Sequence, residues 1–92
     1  VIEYVDLSGY CGGLGDEIII VATDNFKVAN VMVEIYRDDG SLVEVGMADG
    51  MVGDPEAWVY YAQSEIASVA GYSVNVRVTD LPGNAVEKVV SL

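Results

Sequence analysis

The stretch Gly71–Asn84, GYSVNVRVTDLPGN, decides the fold. Tyr72, Val74, Val76 and Val78 alternate strictly with Ser73, Asn75, Arg77 and Thr79. A period of two marks a strand with one face in a core and the other in water. The strand stops at Asp80-Leu81-Pro82-Gly83-Asn84, where Pro82 presets φ and Gly83 supplies a positive-φ position. That turn feeds a further strand over Ala85–Leu92.

Working outward, the same two signals recur along the chain. Val1–Leu7 reads as a first strand, and Glu17–Thr23 (EIIIVAT) as a central one covered on both sides, being almost continuously apolar and β-branched. Asp24-Asn25-Phe26-Lys27 marks a turn, followed by a strand over Asn30–Arg37 with Val31, Val33 and Ile35 on one face. Asp38-Asp39-Gly40-Ser41 is a compact hairpin turn, Asp-Gly being a favoured pair for its corner, and Leu42–Met47 returns antiparallel. Asp49–Asp54 reads as a loop and Glu56–Ala62 as the next strand.

The segment that follows permits two readings. Asp54 as N-cap and Pro55 at N1 would start a helix reaching Ala70, closed by Gly71. Trp58-Val59-Tyr60-Tyr61 prefer a strand, which favours a strand followed by a long connection over Gln63–Ala70, with Ser64–Ala67 as a single helical turn at most. The expected fold is therefore all-β: one antiparallel two-sheet sandwich of about seven strands over residues 1–92. Its expected core is Ile18, Ile20, Val31, Val33, Ile35, Trp58, Val74, Val76 and Val78.

Composition bounds the function. An apolar fraction of 52% can fill two inner faces in a chain of only 92 residues. Fifteen acids against four bases give a formal net charge of −11. Such a surface repels phosphate, so neither nucleic acid nor an anionic membrane is an expected partner, and it keeps a β-rich domain soluble and monomeric. The longest aliphatic run is about five residues, against the ~20 needed to span a bilayer as a helix. The chain starts at Val1 and stops within a strand at Leu92, which suggests a domain cut from something longer.

Catalytic chemistry finds little purchase. There is no histidine, so the commonest general base and zinc ligand are missing, and Cys11 has neither a disulfide partner nor a local base. Asp16-Glu17, Asp38-Asp39 and Asp54/Glu56 sit in turns or at strand edges, where adjacent side chains diverge. The glycines between Gly9 and Gly15 lack the Gly-Lys-Ser/Thr ending of a phosphate loop and read as a flexible crossover. Asp24, Asp49, Asp54 and Asp80 all fall in expected loops and are the calcium candidates, although no EF-hand-type spacing links them. Trp58 and Tyr60 share a face and are expected inside, with Tyr61 outside as a surface on which a sugar ring could stack. No catalytic, cofactor or metal residue is assigned, and no cofactor is expected.

Taken together, ATDNFKVANVMVEIYRDDGSLVEVGMA (Ala22–Ala48), WVYY (Trp58–Tyr61) and the closing Gly71–Asn84 segment resemble the bacterial immunoglobulin-like and fibronectin type III-like modules of surface and secreted proteins. The matching features are Ala22 with Asp24, Asp39-Gly40-Ser41, Trp58 with Tyr60, and Thr79-Asp80 with Gly83-Asn84. Trp58 falls on the fifth strand rather than the third, and paired inter-sheet cysteines are absent, so an antibody-type domain is excluded. The resemblance implies a non-catalytic extracellular or cell-surface module that spaces or presents neighbouring domains. The alternative is a glycan- or protein-binding module, with or without calcium. Tyr72, opening its strand, would act as a tyrosine corner whose hydroxyl bonds to upstream backbone.

Overall fold

The computed structural model describes residues 1–23 and 27–92. Among these, eight strands form: β1 (Ile2–Asp6), β2 (Glu17–Ala22), β3 (Val28–Tyr36), β4 (Leu42–Met47), β5 (Asp49–Met51), β6 (Asp54–Tyr61), β7 (Ser73–Asp80) and β8 (Ala85–Ser91). They make two four-stranded antiparallel sheets, ordered β1-β2-β6-β5 and β4-β3-β7-β8. The protein is an all-β sandwich, with no helix among the described residues.

The alternation read from the sequence explains the layering. Val31, Val33 and Ile35 of β3 stand in register with Val78, Val76 and Val74 of β7, and all six are sealed from water. From the facing sheet, Ile18 and Ile20 of β2 and Tyr60 of β6 complete the interior. Eight of the nine expected core residues are therefore in the core. Trp58 is the exception: it is half-buried and packs against the core from its rim.

Several boundaries and one strand differ from expectation. Asp49–Met51, expected to be loop, pairs with Val59, Trp58 and Asp54 of β6 as an eighth strand. All three of its residues are exposed, so it is held by backbone hydrogen bonding and carries no apolar pattern to betray it. β2 has one sealed face only, because Ile19 and Val21 are half-buried on the outer side. β6 begins at Asp54, so the residues that could start a helix instead extend the strand, and Gln63–Ala70 contains no helical turn. Cross-strand pairing over five positions of β2 outweighs the local capping signal. The turn expected at Asp24-Asn25-Phe26-Lys27 lies, but for Lys27, outside the described residues.

The two turns read from sequence form as expected. Gly40 and Gly83 have φ of 88° and 98°, in the left-handed region that favours glycine. At the first, Asp39 Oδ1 accepts from Ser41 N and Ser41 Oγ (2.8 and 2.6 Å).

The glycine-rich Ser8–Gly15 connection is not the flexible crossover expected. Tyr10 from its middle is buried in the core, and Gly15 N donates to Ala62 O (2.8 Å) while Ile66 N donates to Gly12 O (2.6 Å). A Cβ at Gly12 would collide with the Ile66 carbonyl, so glycine is required for this close approach. Asp16 closes the loop, accepting from Cys11 N (3.1 Å) and Gly13 N (2.9 Å), and these bonds lower its pKa.

Val76 lies fully buried at the centre of β7, opposite Val33. Val76→Ala is expected to cost about 1–3 kcal/mol through lost burial and the cavity left behind. Thermal and denaturant unfolding of the variant measure it, and an unchanged midpoint would place Val76 outside the core.

Candidate functional sites

Three places concentrate chemistry: a carboxylate inside the sandwich, a cleft at one of its poles, and the outer face of one sheet. The first was not foreseen from sequence. β4 is an edge strand, yet Glu44 is buried and points across the interlayer space. Tyr60 of the opposite sheet donates its hydroxyl to Glu44 Oε2. Gln63 N donates to the same oxygen (2.8 Å), and Ser64 N donates to Oε1 (3.1 Å).

Three donors meeting one carboxylate remove most of the cost of taking it out of water. Gly46, two residues on, makes the arrangement possible: a Cβ there would come within 2.8 Å of Tyr60 Cε1 and Gln63 Nε2. Tyr10 shares the neighbourhood, with its hydroxyl buried and without a hydrogen-bond partner among the described residues. Burial raises the pKa of both Tyr60 and Tyr10, and for both the Glu44 carboxylate pushes in the same direction. The signal available in the sequence was the small residue at Gly46 facing a tyrosine, and it can be read only once the register is known.

The cleft opens at the pole where β2 ends and β3 and β6 begin, with a volume of about 350 Å³. Ala22, Val28, Ala29 and Pro55 give it apolar walls, and Trp58 stands beside Thr23, Lys27 and Glu56. Trp58 Nε1 is buried, with no partner among the described residues. Thr23 Oγ1 donates to Glu3 Oε1 (2.9 Å). Tyr61 is exposed as expected, but on the outer face of β6 at the opposite pole, where it pairs with Glu17. Trp58 and Tyr61 therefore do not form one aromatic platform.

The calcium candidates scatter. Asp49 and Asp54 are exposed on β5 and β6, Asp54 accepting from Glu56 N (3.1 Å). Asp80 is not a solvated loop acid. It is buried at the end of β7, and its carboxylate accepts from Asn84 N (2.7 Å) and Asn84 Nδ2 (3.2 Å), closing the turn into β8. Asp24 lies outside the described residues, and among those described no group of three acidic, cysteine or histidine side chains could hold a metal ion. Tyr72 is half-buried against the core, and its hydroxyl makes no hydrogen bond among the described residues. Its backbone instead accepts from Leu92 N (2.8 Å), and the tyrosine whose hydroxyl ties the two layers together is Tyr60.

The outer face of β4-β3-β7-β8 carries Leu42, Val45 and Met47 on β4, opposite Tyr36, Glu34 and Met32 on β3. Glu34 accepts from Tyr36 OH (2.8 Å) and Asn75 Nδ2 (2.9 Å), and Arg77 pairs with Glu87 at 3.5 Å.

No protein-family model matches the chain, and no curated protein sequence does. Two solved structures share its fold. CopC from Methylosinus trichosporium OB3b is similar over 98% of this chain and 87% of its own, at 23% identity and a TM-score of 0.66. The catalytic module of the multi-modular glycogen-degrading pneumococcal virulence factor SpuA is similar over 91% of this chain but only 12% of its own, at 16% identity and a TM-score of 0.57. These likenesses establish a β-sandwich. Among the described residues no helix is long and apolar enough to cross a membrane.

Two outcomes follow from the buried cluster. Glu44→Ala would strand the Tyr60 hydroxyl and two backbone N–H groups, for an expected loss of about 2–4 kcal/mol, while Tyr60→Phe, keeping the ring, should lose about 1–2 kcal/mol. Unfolding in denaturant separates the two. The raised Tyr60 and Tyr10 pKa values give a sign for alkaline stability. A phenol whose folded pKa exceeds its unfolded value contributes stability that is intact below about 10, the ordinary tyrosine range, and is lost as pH climbs beyond it. Ultraviolet absorbance should show Tyr60 and Tyr10 ionising only as the fold opens.

Proposed function

We propose that this chain is a non-catalytic, immunoglobulin-like module of a larger bacterial surface or secreted protein, holding neighbouring domains apart and in orientation. Lettered A, B, C, C′, D, E, F and G in chain order, its strands form sheets A-B-E-D and C′-C-F-G. That order supports the immunoglobulin-like reading.

The observation that carries the mechanical part is polar geometry. β1 starts where Ile2 pairs with Ala22, at the pole that also holds Val28 and Asp80. β8 finishes at the other pole, with Ser91 paired to Ser73 beside Tyr36. The longest dimension is 38 Å, so a polypeptide threaded through the sandwich enters one end of a rod and leaves the other. The non-catalytic part draws support from the two buried carboxylates, since Glu44 and Asp80 are each engaged by donors that hold the fold together. The net charge of −11 supports a monomer that avoids nucleic acid and membrane surfaces, as expected of an extracellular module.

The Trp58 cleft favours a second reading, a glycan-binding module, because an indole beside hydroxyl, ammonium and carboxylate groups suits a sugar ring. Calorimetric titration with a panel of oligosaccharides, with and without Ca²⁺, discriminates the two. The spacer reading expects no saturable heat at micromolar ligand. Saturable binding that disappears in Trp58→Ala would replace it with the second reading.

A further inference from the structure

β4 inverts the usual alternation of a sandwich strand. Its charged residue, Glu44, faces inward, while Leu42, Val45 and Met47 face solvent, each about half exposed. It is also the last strand of its sheet, with β3 on one side and, among the described residues, no strand on the other. A row of unpaired backbone groups is normally guarded by charged side chains, proline or shortness. The other three edges obey: β1 has Glu3 and Asp6, β8 has Glu87 and Lys88, and β5 is three residues long. β4 presents six residues with no charged side chain turned to solvent.

Charge defines what would cover it. The strip is bracketed by exposed acids, Asp38 and Asp39 at the hairpin end and Asp49 beyond Met47, with Glu34 between Tyr36 and Met32 on the neighbouring strand. Arg37, the nearest cation at the hairpin, directs its guanidinium to Ser41 Oγ (3.3 Å) and the Leu42 carbonyl (3.1 Å). Arg77, on the next strand, is paired with Glu87. A second copy would bring the same acids and another net charge of −11 to this edge.

We propose that the β4 edge is a docking site for an extended basic segment of another polypeptide, added to the sheet as a fifth strand. Alternate apolar side chains of that segment lie beside Leu42, Val45 and Met47, and its lysines or arginines answer Asp38, Asp39 and Asp49. This interaction goes beyond the spacer reading and does not depend on it.

The test uses a fluorescent peptide of about eight residues alternating valine and lysine, matched to β4 and its flanks. Its anisotropy should rise saturably with protein and fall back with added salt. Val45→Thr with Met47→Thr, and separately Asp39→Asn with Asp49→Asn, should each weaken binding about fivefold or more while thermal unfolding confirms the fold. Glu3→Gln with Glu17→Gln, acids of β1 and β2 in the facing sheet, should leave it unchanged. A peptide N-methylated at alternate residues, unable to pair as a strand, should not bind. The proposal is overturned by absence of binding, by equal binding of the N-methylated peptide, or by equal losses in the facing-sheet variant. Sedimentation showing self-association that Val45→Thr with Met47→Thr abolishes would also overturn it, making a second copy the occupant.

Discussion

Glu44 points into the sandwich from an edge strand, where a carboxylate without donors would cost several kcal/mol. It is tolerated because Tyr60 from the opposite sheet and the two backbone amides that follow β6 all turn toward it. The contact ties the outermost strand of one layer to the other layer and to the connection leading into β7. Gly46 leaves the room, and Tyr10, delivered by the glycine-rich loop, packs into the same core. The loop geometry, the placement of β4 and the outward strip of Leu42, Val45 and Met47 all follow from that inward carboxylate.

The valine and isoleucine layers supply most of the stabilisation, but they are nearly uniform in shape and do not by themselves fix register. β3 and β7 interdigitate valine against valine, and a slip of two residues would keep the same faces inward. The polar ties distinguish one register from its neighbours. Asp80 with Asn84 sets the β7–β8 turn, Asp39 with Ser41 sets the β3–β4 turn, and Glu44 with Tyr60 sets the distance between layers. Directional bonds at three separated points therefore complement a non-directional core.

What could be read from the chain, and what could not, divides along the same line. Alternation in Tyr72–Thr79 and Asn30–Arg37 and the glycines at 40 and 83 identified the sandwich, because these signals are local and periodic. β5 left no trace, since its three residues are all exposed and its pairing is made by backbone. Trp58 was expected inside because it shares a face with Tyr60, but it lies nearer the pole, where the layers open into the cleft. Asp80 read as a loop acid because a proline and a glycine follow it closely. Its burial depends on Asn84 folding back, which composition does not announce. Glu44 was the hardest to see: in LVEVGM the apolar set is Val43, Val45 and Met47, so alternation alone would turn the glutamate outward.

That last failure carries the most functional information. Local pattern normally agrees with the global fold, and the places where it does not are where something other than folding has shaped the sequence. Valine at 45 and methionine at 47 contribute little to the core, because they face water, while lysine or glutamate there would guard the edge more safely. The buried glutamate explains why the strand must sit with this face outward. It does not explain why the outward face is apolar. A module that only separated its neighbours would gain nothing from leaving that edge open, whereas one that also captures a passing strand requires it.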